Sequence, residues 1–280
     1  MFQTELLAGR TIVITGGGSG LGRAMAERFG SLSARVGVIG RRVEKLEETC
    51  AAIRAAGGTA AWASADVRDP AAVGAAIDSL EADLGPVTDL VNNAAGNFLA
   101  ASEDLSANAF DTVVRIVLNG TFHCTHDIGN RWIKRKTGGS ILSIVTTYAW
   151  TGSAFVLPSA CAKAGVLAMM RSLAVEWATY GIRCNAIAPG PFPTEGAFSR
   201  LMVGGLEEQA LARIPVGRFG DPAELADLAA FLVSPMATYV NGECVTIDGG
   251  EWLKGGQEFG GITDHPRDEV KAMLGAMRKR

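Results

Sequence analysis

Seven residues, Gly16-Gly17-Gly18-Ser19-Gly20-Leu21-Gly22, follow the β-branched run Thr11 to Thr15 and precede an Ala-rich stretch. A glycine-rich turn between a strand and a helix lets the backbone bend sharply and approach an anion, with the helix N-terminal N–H groups facing its charge. Such a turn cradles the pyrophosphate of a dinucleotide. After the next β-branched run, Arg35 to Ile39, the chain reads Gly40-Arg41-Arg42 where an acid would accept a ribose hydroxyl. Arg41 can pair bidentately with a phosphate that an acid would repel, so this choice, with Arg42 beside it, favours the 2′-phosphate of NADPH. Solvated charges at a helix start are the alternative. Asp66, after a third strand, is placed to hold adenine, and Asn93, Ala94 and Ala95, within Asn92-Asn93-Ala94-Ala95-Gly96, to line the ribose and nicotinamide.

The elements that must position these residues are legible from the hydrophobic pattern. Short β-branched runs at Thr11 to Ile14, Arg35 to Ile39, Thr88 to Val91, Ser140 to Val145, Ile182 to Ile187 and Val245 to Ile247 alternate with longer Ala/Leu-rich stretches. Helices are expected around Ala24 to Leu32, Val43 to Ala56, Pro70 to Leu84, Ala109 to Lys136, Ser159 to Tyr180 and Pro222 to Val233. Alternation of this kind predicts an α/β fold: a single domain, residues 1–280, with a parallel sheet of about seven strands and helices on both faces. Ligands then bind beyond the carboxyl ends of the strands. The Gly- and Pro-rich stretch 189–215 is expected to cover the substrate, and 250–280 to form an extension beyond the last strand.

Composition narrows the function classes. A net charge of −3 gives no bulk attraction to nucleic acid or to an anionic membrane, so any basic site is local. Cys50, Cys124, Cys161, Cys184 and Cys244 are scattered and contain no CxxC pair, which reads as reduced thiols. His123 and His126 flank Cys124 at helical spacing, but no further ligand cluster accompanies them, so no metal is expected. With no apolar run of membrane-spanning length and no targeting pattern, a cytoplasmic protein is the expectation.

Thr15-Gly16-xxx-Gly20-x-Gly22, Asn92-Asn93-Ala94-Ala95-Gly96, Asn119-Gly120, Lys163 and Pro189-Gly190 together resemble the short-chain dehydrogenase/reductase superfamily over nearly the whole chain. Members of that superfamily have a doubly wound Rossmann fold and usually carry Tyr-xxx-Lys on a long helix. Here that spacing reads Ser159-Ala160-Cys161-Ala162-Lys163, and a tyrosine stands eleven residues earlier in Thr146-Thr147-Tyr148-Ala149. NADPH-dependent 2,4-dienoyl-CoA reductases share this relocation. The chain is similar to them also in Ala94-Ala95-Gly96-Asn97-Phe98, Pro189-Gly190-Pro191 and Gly196-Ala197-Phe198-Ser199-Arg200-Leu201.

The resemblance implies Tyr148 and Asn97 as donors to the thioester oxygen of a conjugated acyl-CoA. Lys163 is implied to bind the nicotinamide ribose, Ser159 to complete the network and Asn119 to hold a water near the lysine. Bland roles stand beside these: a loop aromatic for Tyr148, a turn-former for Asn97, a helix N-cap for Ser159 and a helix bend for Asn119. The resemblance extends the cofactor site to Gly18, Ser19, Leu21, Val67, Pro189, Gly190, Pro191 and Phe192. It places Arg68, Phe98, Ser106 and Arg200 against the substrate and implies a homotetramer. Thr146 stands where other members carry a catalytic serine. Two alternatives stay open at this point: a reductase of another carbonyl or conjugated substrate, and a non-catalytic dinucleotide sensor.

Overall fold

The computed structural model describes residues 2–194, 206–257 and 259–277. Seven parallel strands, β1 (Thr11–Thr15), β2 (Arg35–Gly40), β3 (Thr59–Ser64), β4 (Asp89–Asn92), β5 (Gly139–Ile144), β6 (Ile182–Pro189) and β7 (Cys244–Ile247), form one sheet in the order β3-β2-β1-β4-β5-β6-β7. The β1 run Thr-Ile-Val-Ile-Thr is buried at every position, as a central strand covered on both faces requires. β3 escapes the β-branched pattern because its residues are Thr-Ala-Ala-Trp-Ala-Ser. Its extended state comes from pairing with β2 from Arg35↔Thr59 to Gly40↔Ser64.

Helices α1 (Gly20–Ser31), α2 (Val43–Ala55) and α3 (Pro70–Leu84) make the first crossovers. Asp69 caps α3, its carboxylate accepting from Ala71 and Ala72 N–H, and Pro70 opens the helix where a missing N–H costs nothing. The expected helix from Ala109 to Lys136 is broken into α4 (Ala107–Val114) and α5 (Gly120–Arg135), joined by a π turn at Arg115–Asn119. Close packing follows the break: a Cβ on Gly120, the first residue of α5, would lie 2.5 Å from Val67 Cγ2. A single-turn helix α6 (Tyr148–Thr151) precedes the long α7 (Leu157–Glu176). Then come α8 (Leu206–Arg213), α9 (Pro222–Val233), α10 (Glu251–Gly256) and α11 (Arg267–Met277), so the extension beyond β7 is helical.

The core has two halves, one on each face of the sheet. Val13, Leu90 and Ile141 pack with Ile77 and Leu80 of α3, Ile128 and Trp132 of α5 and Val166 of α7. Ile12, Ile14 and Leu142 pack with Met25 and Phe29 of α1, Leu46 of α2 and Leu225 of α9. Strand order reverses between β1 and β4, so the loops after these two strands splay apart and leave a crevice at their carboxyl ends. None of the described helices is long and apolar enough to cross a membrane.

Candidate active site

A cavity of about 460 Å³ opens in that crevice, with Gly16 at one end and Tyr148, Ser159 and Lys163 at the other. Its first wall is the glycine turn. Gly16 adopts φ +67°, and a Cβ on Gly22 would lie 2.3 Å from the Gly16 carbonyl, so no side chain fits there. Asn93 braces the turn from β4: its Nδ2 donates to the carbonyls of Thr15 at 3.1 Å and Gly16 at 3.2 Å. Thr15 Oγ1 in turn accepts from Asn93 and Ala94 N–H at 3.0 Å each. Ala94 and Ala95 continue the wall beyond it.

Exposed Arg41 and Arg42 line the same cavity directly after β2. Arg42 Nη2 donates to Ser19 Oγ at 3.0 Å, joining the β2 end to the glycine turn. Gly18, Gly20 and Leu21 complete that turn, and Asp66 and Val67 stand after β3. Hydrogen bonds from Arg68 hold the Asp66 carboxyl below its ordinary range. His123 Nδ1 donates to the Val67 carbonyl at 2.9 Å, and His126 stacks on Phe122, so each imidazole has a structural partner. A cradle that tolerates no side chain at Gly22, next to the exposed guanidinium groups of Arg41 and Arg42, fits a dinucleotide with an additional phosphate.

At the other end three polar groups from different segments converge. Tyr148 Oη lies 3.1 Å from Ser159 Oγ, and Asn97 Nδ2 donates to Tyr148 Oη at 3.4 Å. Asn97 is oriented by its own Oδ1, which accepts from Phe98 N–H at 2.9 Å. The loop after β4 is tied to the one after α6 by Ala100 N–H donating to the Phe155 carbonyl at 2.9 Å. Ser159 is not an N-cap: α7 starts two residues earlier, and the hydroxyl is buried against Tyr148. Lys163, one turn further along α7, is buried with its ammonium donating to the Ile144 carbonyl at the end of β5. Burial pulls this ammonium down to about 8. Thr146 also faces the cavity.

Other expected contacts fall elsewhere. Arg68 is clamped to Asp66, with Nη2 2.6 Å from Oδ2, and does not line the cavity. Ser106 caps α4, its Oγ accepting from Ala109 N–H at 3.1 Å, and is exposed. Asn119 ends the π turn and is exposed, and Ile116 from the same turn lines the cavity. Phe98 is partly buried and packs against the core. Pro189 ends β6, and Gly190, the next residue, is backed by Asp248, whose Cβ an added methyl would meet at 2.6 Å. Pro191 and Phe192 line a separate, smaller cavity, because the Phe192 ring fills the space left by Gly220. Arg200 lies outside the described residues.

Two polar cavity residues, Thr194 and Lys45, had no sequence signal of their own. Thr194 comes from the loop after β6 and sits over Gly20, where an added Cβ would be 3.3 Å away. Its place after a strand's carboxyl end was the available clue. Lys45, at the start of α2, reaches the cavity beside Arg41.

Comparison with known proteins follows the same lines. A family model described as enoyl-(acyl carrier protein) reductase matches residues 16–251. A probable 2,4-dienoyl-CoA reductase of Bacillus subtilis, described as (2E)-enoyl-CoA-producing, is 47% identical over 249 residues, covering 87% of this chain and 97% of that one. A probable 2,4-dienoyl-CoA reductase of Caenorhabditis elegans, described as (3E)-enoyl-CoA-producing, is 46% identical over 87% of this chain and 80% of its own length. The crystal structure of a putative 2-deoxy-D-gluconate 3-dehydrogenase from Agrobacterium tumefaciens with bound NADP superposes with a TM-score of 0.82. It is 32% identical and covers 90% of this chain and 99% of its own. Fold, site geometry and relatives agree that the chain belongs to the short-chain dehydrogenase/reductase family.

Proposed function

We propose that this protein is an NADPH-dependent 2,4-dienoyl-CoA reductase acting in the β-oxidation of unsaturated fatty acids. The observation that carries the reading is the convergence of Tyr148 Oη, Asn97 Nδ2 and Ser159 Oγ four residues before Lys163 on the same face of α7. Ketone reduction needs a proton donor beside the carbon that receives hydride. Serine at 159 is a poor proton donor, and the phenol stands instead on the loop after β5.

Bound NADPH supplies a hydride, which in this reading reaches the δ carbon of the dienoyl chain. Negative charge then spreads through the conjugated system to the distant thioester oxygen. Tyr148 and Asn97, whose donor atoms lie 3.4 Å apart, are spaced to donate to that one oxygen. Protonation at the α carbon, through Tyr148 or water, leaves one double bond and gives the 3-enoyl-CoA. Lys163 adds positive potential and holds the nicotinamide ribose, and Ser159 keeps the phenol oriented. Arg41 and Arg42 hold the 2′-phosphate.

Purified protein given NADPH and a 2,4-dienoyl-CoA is expected to abolish the dienoyl absorbance. No loss of that absorbance, alongside turnover of a simple 3-oxoacyl-CoA, overturns the reading. The position of the remaining double bond, read by NMR, separates α from γ protonation, the latter giving the 2-enoyl product. The same reading places the enzyme in the cytoplasm, consistent with five free thiols, and as a homotetramer. Val175 on α7 is 80% exposed and Phe122 on α5 48%, apolar surface suited to subunit contacts. Light scattering after gel filtration tests the assembly.

A further inference from the structure

Tyr148 is carried by a helix of a single turn. α6 is one turn long, closed by Ala149 N–H to the Thr146 carbonyl at 3.0 Å and Gly152 N–H to the Tyr148 carbonyl at 3.0 Å. A helix this short has no stability of its own and takes its orientation from what packs on it. One side of the turn rests on the core through Ala149 and Trp150. The Trp150 indole also stacks on Trp252, with ring centroids 5.1 Å apart and planes at 25°.

Trp252 is a firm abutment. It lies in α10, and Asp248, the first residue after β7, holds its backbone: Oδ2 accepts from Trp252 N–H at 2.8 Å and Oδ1 from Gly250 N–H at 2.9 Å. α10 is further joined to α8 by Glu251 and Arg213 at 3.5 Å and by Lys254 Nζ donating to the Ala212 carbonyl at 3.3 Å. Neither indole lines the main cavity, so the pair touches the catalytic turn without facing the reacting groups.

We propose that Trp252 is a positioning residue for Tyr148: through Trp150 it braces the one-turn helix against the end of β7, holding the phenol within reach of Asn97 and Ser159. The extension beyond β7 thereby belongs to the catalytic architecture. This inference rests on the reading of Tyr148 as donor to the thioester oxygen.

The test uses the full chain with NADPH and a 2,4-dienoyl-CoA. Trp252→Ala is expected to lower kcat roughly ten- to a hundredfold, the cost of a small misplacement of a donor. The Kd for NADPH, read from cofactor fluorescence, stays within about twofold, because the glycine turn and Arg41 lie on other strands. Trp252→Phe, which can still stack, recovers most of the rate, and the double variant Trp150→Ala/Trp252→Ala is no slower than Trp150→Ala alone. If Trp252→Ala does not fold, Trp252→Leu, which keeps apolar bulk without a flat ring, is expected to show the same loss in kcat. A wild-type kcat in the Ala or Leu variant, additive losses in the double variant, or equal changes in kcat and NADPH affinity would each overturn the inference. Tyr148→Phe, run alongside, separates the two failures: if it is inactive while Trp252→Ala is unaffected, only the brace is wrong. If it keeps full rate, the donor assignment fails and the brace with it.

Discussion

Tyr148 Oη lies 3.1 Å from Ser159 Oγ, the side chain that occupies the position four residues before Lys163 on α7. The phenol stands on the single-turn helix α6 that follows β5, and α7 carries a hydroxyl that contacts it. From this pair follows an ordering of effects. Tyr148→Phe is expected to lower kcat by about 10²- to 10⁴-fold, the range for loss of a positioned proton donor. Ser159→Ala, which removes only an orienting partner, is expected to cost about tenfold or less. Steady-state kinetics with a dienoyl-CoA decides, and equal small effects would refute the relocated donor.

Asn97 shares the phenol oxygen with Ser159 and is oriented by Phe98 N–H. Asn97→Ala removes one of two donors to a single oxygen and is expected to reduce kcat by about 10²- to 10³-fold. NADPH affinity should be preserved. A comparable loss of cofactor binding, measured by fluorescence titration, would reassign Asn97 to loop structure.

Arg41 is exposed at the mouth of the cofactor end, with no acid following β2. A charge-assisted hydrogen bond contributes about 1.5–3 kcal/mol, so Arg41→Ala is expected to weaken NADPH binding by about 10- to 100-fold. NADH binding should change little. An unchanged preference between the two cofactors would show that the 2′-phosphate is held elsewhere.

Lys163 connects pH to both rate and stability. Burial brings its ammonium to about 8 from an ordinary 10.5. If its positive charge serves catalysis as proposed, kcat/KM should fall as pH rises past about 8, and Lys163→Met should lose that limb together with most of the rate. For folding the sign is opposite. Between pH 8 and 10.5 the unfolded chain binds more protons than the folded one, so the cost of burying this charge is fully present below pH 8 and is relieved as pH rises. Lys163→Met in the cofactor-free protein at pH 7 is therefore expected to melt no lower than the wild type. A drop of several degrees by calorimetry would mean that the bond to the Ile144 carbonyl outweighs desolvation.

Several expected site residues engage partners outside the main cavity. Arg68 and Ser106 were read as substrate contacts, yet each has a partner within three residues that takes up its polar atoms: Asp66 for the guanidinium and Ala109 N–H for the hydroxyl. The resemblance has Asn119 interrupting a long helix and holding a water near Lys163, with a helix bend as the alternative; it ends a π turn at Arg115–Asn119, which interrupts the helix, and it is exposed. Phe192 follows the strand end as expected but turns toward Gly220, a glycine some thirty positions away in the chain, whose missing side chain makes its pocket.

Local chemistry settled what the sequence could settle alone. Strand and helix alternation, the glycine turn, and the substitution of Gly40-Arg41-Arg42 for an acid all depend on residues close along the chain, where backbone freedom, periodicity and charge act directly. β3 lay beyond that reach, because its alanines carry little strand preference and its register is imposed by β2. The catalytic cluster depended on more. Asn97, Tyr148 and Ser159 stand on three separate loops or helices, and only the packing of β4, β5 and α7 brings their polar atoms to 3.1–3.4 Å. Tertiary structure alone decided which neighbours faced the cavity and which spent their hydrogen bonds locally, and it alone set Trp252 against Trp150 at the far side of the catalytic turn.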